Sequence, residues 1–119
     1  MLIAWFSFKP QGIGPGKGGP GEARAFHPKN GGTGPMSILV SGDDNGTVVM
    51  LAPTGPAEGW EFEATRLLSL KGTVGSAVVA DLDGDGWAEV VVPHYSGNNL
   101  GVYTFAPALE NGLTPASGN

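Results

Sequence analysis

Residues 81–89 read Asp-Leu-Asp-Gly-Asp-Gly-Trp-Ala-Glu and carry most of the information in this 119-residue chain. Three aspartates alternate along the stretch, and Glu89 follows Asp85 by four positions, so four carboxylates share one short loop. Like charges this close repel one another, and a bound cation removes that cost. Clustered carboxylate oxygens suit Ca²⁺, which takes six to eight oxygen ligands at about 2.3–2.6 Å. The stretch therefore predicts a calcium-binding loop.

Each conspicuous residue of the loop has an expected role. The side chains of Asp81, Asp83 and Asp85 would be ligands. Glu89 would close the site, and Trp87 would contribute its backbone carbonyl. Gly84 and Gly86 allow the positive φ angles that a sharp wrap needs. Because Asp-Gly pairs also mark ordinary turns, a solvated acidic turn without metal is the alternative interpretation.

The residues around the loop decide between strands and helices. An EF-hand requires an acid at the twelfth loop position and helices on both sides, but the twelfth residue counted from Asp81 is Val92. The flanks 73–80 and 90–92 are rich in valine, which favours strands. We therefore expect the loop to join two β-strands.

Composition limits the classes of protein that the chain can belong to. Its length allows at most one small domain. Its net charge of −5 gives no basic surface for nucleic acid or anionic lipid, and the absence of cysteine excludes disulfides. The apolar segment 1–8 is too short to span a membrane and is expected to be a strand. Glycine and proline, 21 and 10 residues, concentrate between Pro10 and Pro35, where we expect a loop or linker near the start.

Part of the chain repeats. Residues 38–53 align with residues 90–107, at an offset of 52 residues at the start and 54 at the Ala-Pro that ends each copy. Each copy reads as strand, polar turn, strand and Ala-Pro, with two extra residues in the second turn. A trace of a third copy lies at 5–10, which resembles 102–107. A period near fifty residues built from short strands is typical of β-propeller blades.

The expected strands follow from this period. One blade would contain 22–27, 37–41, 47–52 and 61–68, and the next would contain 74–80, 89–93 and 100–106. The expected organisation is a partial strand and linker over 1–21, a degenerate blade over 22–70, an incomplete calcium-binding blade over 71–107, and a tail over 108–119.

The segment 75–92, with the strand at 102–107, resembles the FG-GAP (or VCBS-type) repeat. Such repeats form blades of integrin alpha-subunit propellers and of many secreted bacterial and protist proteins. The resemblance covers 73–107 well and 22–68 loosely. It implies an all-β fold of about two four-stranded antiparallel blades, and Ca²⁺ bound at the hairpin turn by the loop residues named above. It also implies an extracellular or secretory-pathway location. In the first copy, Lys29 stands where the first aspartate belongs, so we expect no calcium there.

About one and three-quarter blades do not close a ring, because propellers need roughly four to eight blades. Other blades of a longer protein, copies of the chain or other subunits would then have to cover the open blade faces. A small β-sandwich is the alternative fold.

The expected function is a non-enzymatic, calcium-stabilised module for protein or glycan interaction. The two histidines, His27 and His94, are far apart in sequence, and the glycine-rich run at 14–19 contains proline and leads into no predicted helix. Aromatic residues that could stack on a glycan are Trp60, Trp87, Tyr95 and Tyr103. One alternative is the propeller portion of a sugar-processing lyase or dehydratase. Another is a subunit of a larger assembly or filament.

Overall fold

The computed structural model describes residues 1–2, 21–29, 31–42, 46–107 and 114–115. Within these ranges the chain forms antiparallel strands in two sheets, and no α-helix is present. The expected N-terminal strand, the trace of a third copy and most of the Gly/Pro-rich linker lie outside the described residues. The all-β, antiparallel class expected from the valine-rich flanks is confirmed.

The first sheet is a four-stranded meander in the order β1-β2-β3-β4. Its strands are β1 Glu22–Phe26, β2 Ser37–Ser41, β3 Thr47–Pro53 and β4 Phe62–Ser69. Every bound lies within one residue of the bound expected from the sequence. A single 3-10 turn, Ala57–Gly59, precedes β4. The runs of β-branched and aliphatic residues in β2 and β3 explain why these strands occupy the centre of the sheet.

The second sheet is also a meander, in the order β5-β6-β7-β8. Its strands are β5 Val78–Ala80, β6 Glu89–His94, β7 Asn99–Thr104 and the two-residue β8 Thr114–Pro115. The first strand is shorter than the expected 74–80, because Val74 forms only an isolated bridge to His94 before the chain reaches β5. The pairing of β8 with β7 falls in the segment expected to be a tail.

One hydrophobic core joins the two sheets. Leu39 and Val48 of the first sheet and Val90 and Val92 of the second are almost completely buried in the same cluster. Further members are Phe26, Val74, Ala77 and Ala88. A meander on each side of a shared core is compatible with neighbouring propeller blades and with a small sandwich.

Among the described residues, the model contains no helical segment with the length and hydropathy of a membrane span.

Candidate metal centre

The acidic loop connects β5 to β6, as expected for a calcium hairpin. Ala80, the last residue of β5, pairs with Glu89, the first residue of β6, so the loop starts and ends on neighbouring strands. Gly84 and Gly86 have φ angles of 73° and 93°. These left-handed conformations strain other residues, which explains why glycine occupies both positions.

The loop brings its four carboxylates together. One oxygen atom from each of Asp81, Asp83, Asp85 and Glu89 can be chosen so that all four atoms lie within 4.8 Å of one another. Asp83 and Asp85 are exposed to solvent, whereas Asp81 is half-buried and Glu89 is 1% exposed. The arrangement therefore has a buried floor and an open side through which an ion can enter.

Backbone amides hold the aspartates in position. The Asp81 carboxylate accepts hydrogen bonds from the amides of Gly84 (2.9 Å) and Gly86 (3.0 Å), one at each oxygen. The Asp83 carboxylate accepts from the Asp85 amide at 3.2 Å, and the Asp85 carboxylate accepts from the Trp87 amide at 2.9 Å. Each carboxylate oxygen has about two lone pairs, so these bonds orient the side chains and leave acceptor capacity for a metal.

Hydrogen bonds to both of its carboxylate oxygens hold Glu89 in position. Its Oε1 accepts from the Leu82 amide at 2.6 Å and from the Asp83 amide at 3.4 Å, and its Oε2 accepts from the Thr104 hydroxyl at 2.8 Å. Thr104 lies directly opposite Glu89 in the β6–β7 pair and is itself buried. Thr104 was not among the site residues predicted from the sequence. Its position opposite Glu89 in the β6–β7 hairpin is the signal that could have identified it.

The electrostatics of the acidic loop favour binding of a positive charge. The largest influence on the pKa of Asp83 is the hydrogen bond from the Asp85 amide, which lowers it. Partial desolvation, a side-chain hydrogen bond with Asp85 and the negative charges of Asp85 and Glu89 together outweigh that bond, so the pKa of Asp83 is raised above its ordinary value of 3.8. A group that holds its proton more tightly because of neighbouring anions is a group that a divalent cation would stabilise in its ionised form.

The four donor atoms are close enough together to share one ion. Ligand oxygens at about 2.3–2.6 Å from a cation lie on a sphere about 4.6–5.2 Å across, which is compatible with four atoms that all lie within 4.8 Å of one another. All four donors are carboxylate oxygens, the ligand type that hard divalent cations prefer. These residues could therefore hold a metal ion.

The end of the loop is tied to the first sheet. The Ala88 amide donates to the Pro28 carbonyl at 2.8 Å, and Trp87 forms an isolated antiparallel bridge with Lys29. The Lys29 ammonium lies 5.5 Å from the centre of the Trp87 ring. The role of the Trp87 carbonyl as a ligand stays a prediction, as does the absence of calcium from the loop around Lys29.

Among the described residues, neither histidine joins the acidic cluster. His27 Nε2 lies 3.2 Å from the Gly34 carbonyl, and His94 Nε2 lies 2.7 Å from the Lys71 carbonyl, so each ring contacts a different backbone segment. His94 and Tyr95 line an open groove of about 470 Å³, and its described lining contains no acidic residue.

The aromatic residues considered for glycan stacking are scattered over the described part of the chain. Trp60 is 48% exposed beside Phe62, and Tyr95 is 80% exposed in the turn between β6 and β7. Tyr103 packs against the core, and Trp87 lies next to Lys29.

No protein-family model, no curated protein and no solved structure matches the chain. The likeness to FG-GAP repeats thus depends on the loop and strand residues alone.

Proposed function

We propose that this chain is a calcium-stabilised, non-enzymatic module of the β-propeller type, related to FG-GAP repeats, that serves in protein or glycan interaction. The observation that carries the proposal is the acidic loop, in which four carboxylates meet within 4.8 Å between two paired strands. Because the unfolded chain has no such site, bound Ca²⁺ would stabilise the folded state. The ion would hold the β5–β6 connection closed and offset the mutual repulsion of the acids.

The pairing of the strands supports the propeller type. Ile38 pairs with Leu51, and fifty-two residues later Val90 pairs with Tyr103. The two hairpins therefore have the same length, and the expectation of two extra residues in the second turn is wrong. The connection between β1 and β2 includes the Lys29 turn, as the connection between β5 and β6 includes the acidic loop. Two meanders with the same strand order, and with the same spacing in their central hairpins, are what two successive blades would present.

Calcium titration of the metal-free protein, followed by thermal unfolding, tests the proposal. At a free concentration one hundred times the dissociation constant, a ligand that binds only the folded state adds about 2.7 kcal/mol to the free energy of unfolding. For a domain of this size that corresponds to a rise of roughly 10 °C in melting temperature. Mg²⁺ at the same concentration should give a smaller rise.

Two variants make the test specific. Asp83→Asn keeps the side-chain shape but removes one charge from the cluster, so it should remove most of the calcium-dependent rise. Glu63→Gln removes one exposed acid from β4, remote in sequence from the loop, and should retain the full rise. A melting temperature that is the same in chelator and in excess calcium would reject the proposal.

A further inference from the structure

The turn between β1 and β2 carries a lysine at the position that matches Asp81 of the acidic loop. Lys29 lies fifty-two residues before Asp81, which is the offset of the repeat. Lys29 forms an antiparallel bridge with Trp87, and the Pro28 carbonyl accepts a hydrogen bond from the Ala88 amide at 2.8 Å. The Lys29 ammonium lies 5.5 Å from the centre of the Trp87 ring, within the range of a cation–π interaction. We call these three interactions the loop-to-turn contact.

The lysine turn is held by hydrogen bonds of its own. The Lys29 carbonyl accepts from the Gly32 amide at 3.1 Å, and His27 Nε2 lies 3.2 Å from the Gly34 carbonyl. Residues 27–37 include no acidic residue, so no repulsion between carboxylates opposes this shape. The lysine turn therefore needs no metal ion to keep its shape.

The other half of the loop-to-turn contact belongs to the acidic loop. The Trp87 amide donates to the Asp85 carboxylate at 2.9 Å, and the next amide along the chain, that of Ala88, donates to Pro28. On the other side of the same residue, the Ala88 carbonyl accepts from the Phe105 amide at 2.9 Å. Two successive amides are thus held by an expected metal ligand and by the lysine turn. A displacement of Asp85 would be felt at the end of the loop that contacts this turn.

We propose that Lys29 is a positioning residue for calcium: the loop-to-turn contact holds the acidic loop in the conformation that binds the ion, and bound calcium strengthens the contact in return. This inference rests on the proposed calcium site. Without an ion, repulsion favours conformations of the loop in which the four carboxylates are farther apart, and the contact opposes them by fixing residues 87 and 88. Less ordering then remains to be done when calcium binds, so the ion binds more tightly. Because linkage is reciprocal, calcium stabilises the contact by the same factor.

Charge and position act in opposite directions at Lys29, and this gives the proposal a definite sign. The ammonium repels a divalent cation, so by charge alone its removal would tighten calcium binding. If Lys29 positions the loop, its removal weakens calcium binding. A cation–π contact at an exposed site corresponds to about twofold to fivefold in an equilibrium constant, which sets the size of the weakening.

Calorimetric titration with CaCl₂ of the natural chain and three variants measures this sign. Lys29→Ala removes the ammonium and its stem, and it should raise the dissociation constant for calcium about twofold to fivefold. Lys29→Arg keeps a cation that stacks on aromatic rings and should bind calcium like the natural chain. Lys71→Ala is the matched control, because it removes an exposed lysine whose carbonyl contacts His94, at the end of β6 opposite Glu89. It should bind calcium as tightly as the natural chain or slightly more tightly.

The titrations separate failure of this proposal from failure of the calcium site. Calcium binding by Lys29→Ala that is as tight as that of the natural chain, or tighter, would overturn the positioning role and leave the site intact. An equal weakening in Lys71→Ala would overturn it as well. If the natural chain takes up no calcium, the site and the positioning role are both wrong. Lys29 is exposed, so Lys29→Ala should fold, which circular dichroism checks; Lys29→Gln, which keeps most of the stem, replaces it otherwise.

Hydrogen exchange at single amides gives a second readout, which loss of a charge alone does not move. In the natural chain, calcium should slow exchange of the Ala88 amide, whose acceptor is the Pro28 carbonyl. In Lys29→Ala this amide should exchange faster in calcium-free buffer and gain less protection from calcium. The Thr54 amide, bonded to the Glu61 carbonyl at 2.9 Å beside β4, is the control and should change little. Equal slowing at both amides would indicate general stabilisation, and it would overturn the proposal, as would an Ala88 amide that does not respond to calcium.

Discussion

Replacing Thr104 by valine tests how the floor of the acidic loop is held. Valine has nearly the same shape as threonine, so the change removes one hydroxyl and little packing. That hydroxyl donates to Glu89 Oε2 at 2.8 Å and accepts from the Ala106 amide at 3.1 Å, and Glu89 is 1% exposed. In the variant, Glu89 Oε2 would lose this hydrogen bond, and because the oxygen is buried, water could not replace the hydroxyl. A hydrogen bond to a charged group contributes about 1.5–3 kcal/mol, and an unsatisfied buried acceptor adds to the loss.

We therefore expect Thr104→Val to lower the free energy of unfolding by about 2–3 kcal/mol in chelator. The loss should be smaller in excess calcium, because a cation beside Glu89 compensates its carboxylate. Chemical unfolding in urea, monitored by tryptophan fluorescence with and without calcium, measures both values. Thr65→Val, an exposed threonine in β4, is the matched control and should change the free energy little. If Thr104→Val and Thr65→Val are equally stable in chelator, the hydroxyl does not hold Glu89 and the reasoning fails.

Two other perturbations follow from the loop. Because the pKa of Asp83 is raised in the folded state, its protonated form favours folding. That contribution is fully present below the ordinary value of 3.8 and is lost as the pH rises through the raised pKa. In calcium-free buffer the melting temperature of the natural chain should therefore fall, relative to Asp83→Asn, as the pH rises above 3.8. Saturating calcium should reverse the sign of this difference, and a pH-independent difference in chelator would contradict it. Gly86→Ala meets no atom within 4 Å but forces alanine to a φ of 93°, so urea unfolding should show a loss of about 1–2 kcal/mol from backbone strain alone, and a neutral effect would refute the need for glycine.

Sequence alone was sufficient for the parts of the fold that depend on local pattern. The first sheet follows from alternating and β-branched runs between strong turn signals, so its four strands were placed to within one residue. The spacing of the acids was enough to predict that Asp81, Asp83, Asp85 and Glu89 converge, because a loop with two positive-φ glycines has few ways to close. Neither result required knowledge of distant contacts.

What the sequence did not predict depends on contacts between segments far apart in the chain. β5 is shorter than expected, because Val74 forms only an isolated bridge, and β8 has only two residues. The length of each strand depends on which neighbours are available for pairing, and neither segment has a periodic pattern. The hydrogen bond from Ala88 to Pro28 joins two loops sixty residues apart. Thr104 was missed for the same reason, since its role exists only once β7 lies beside Glu89.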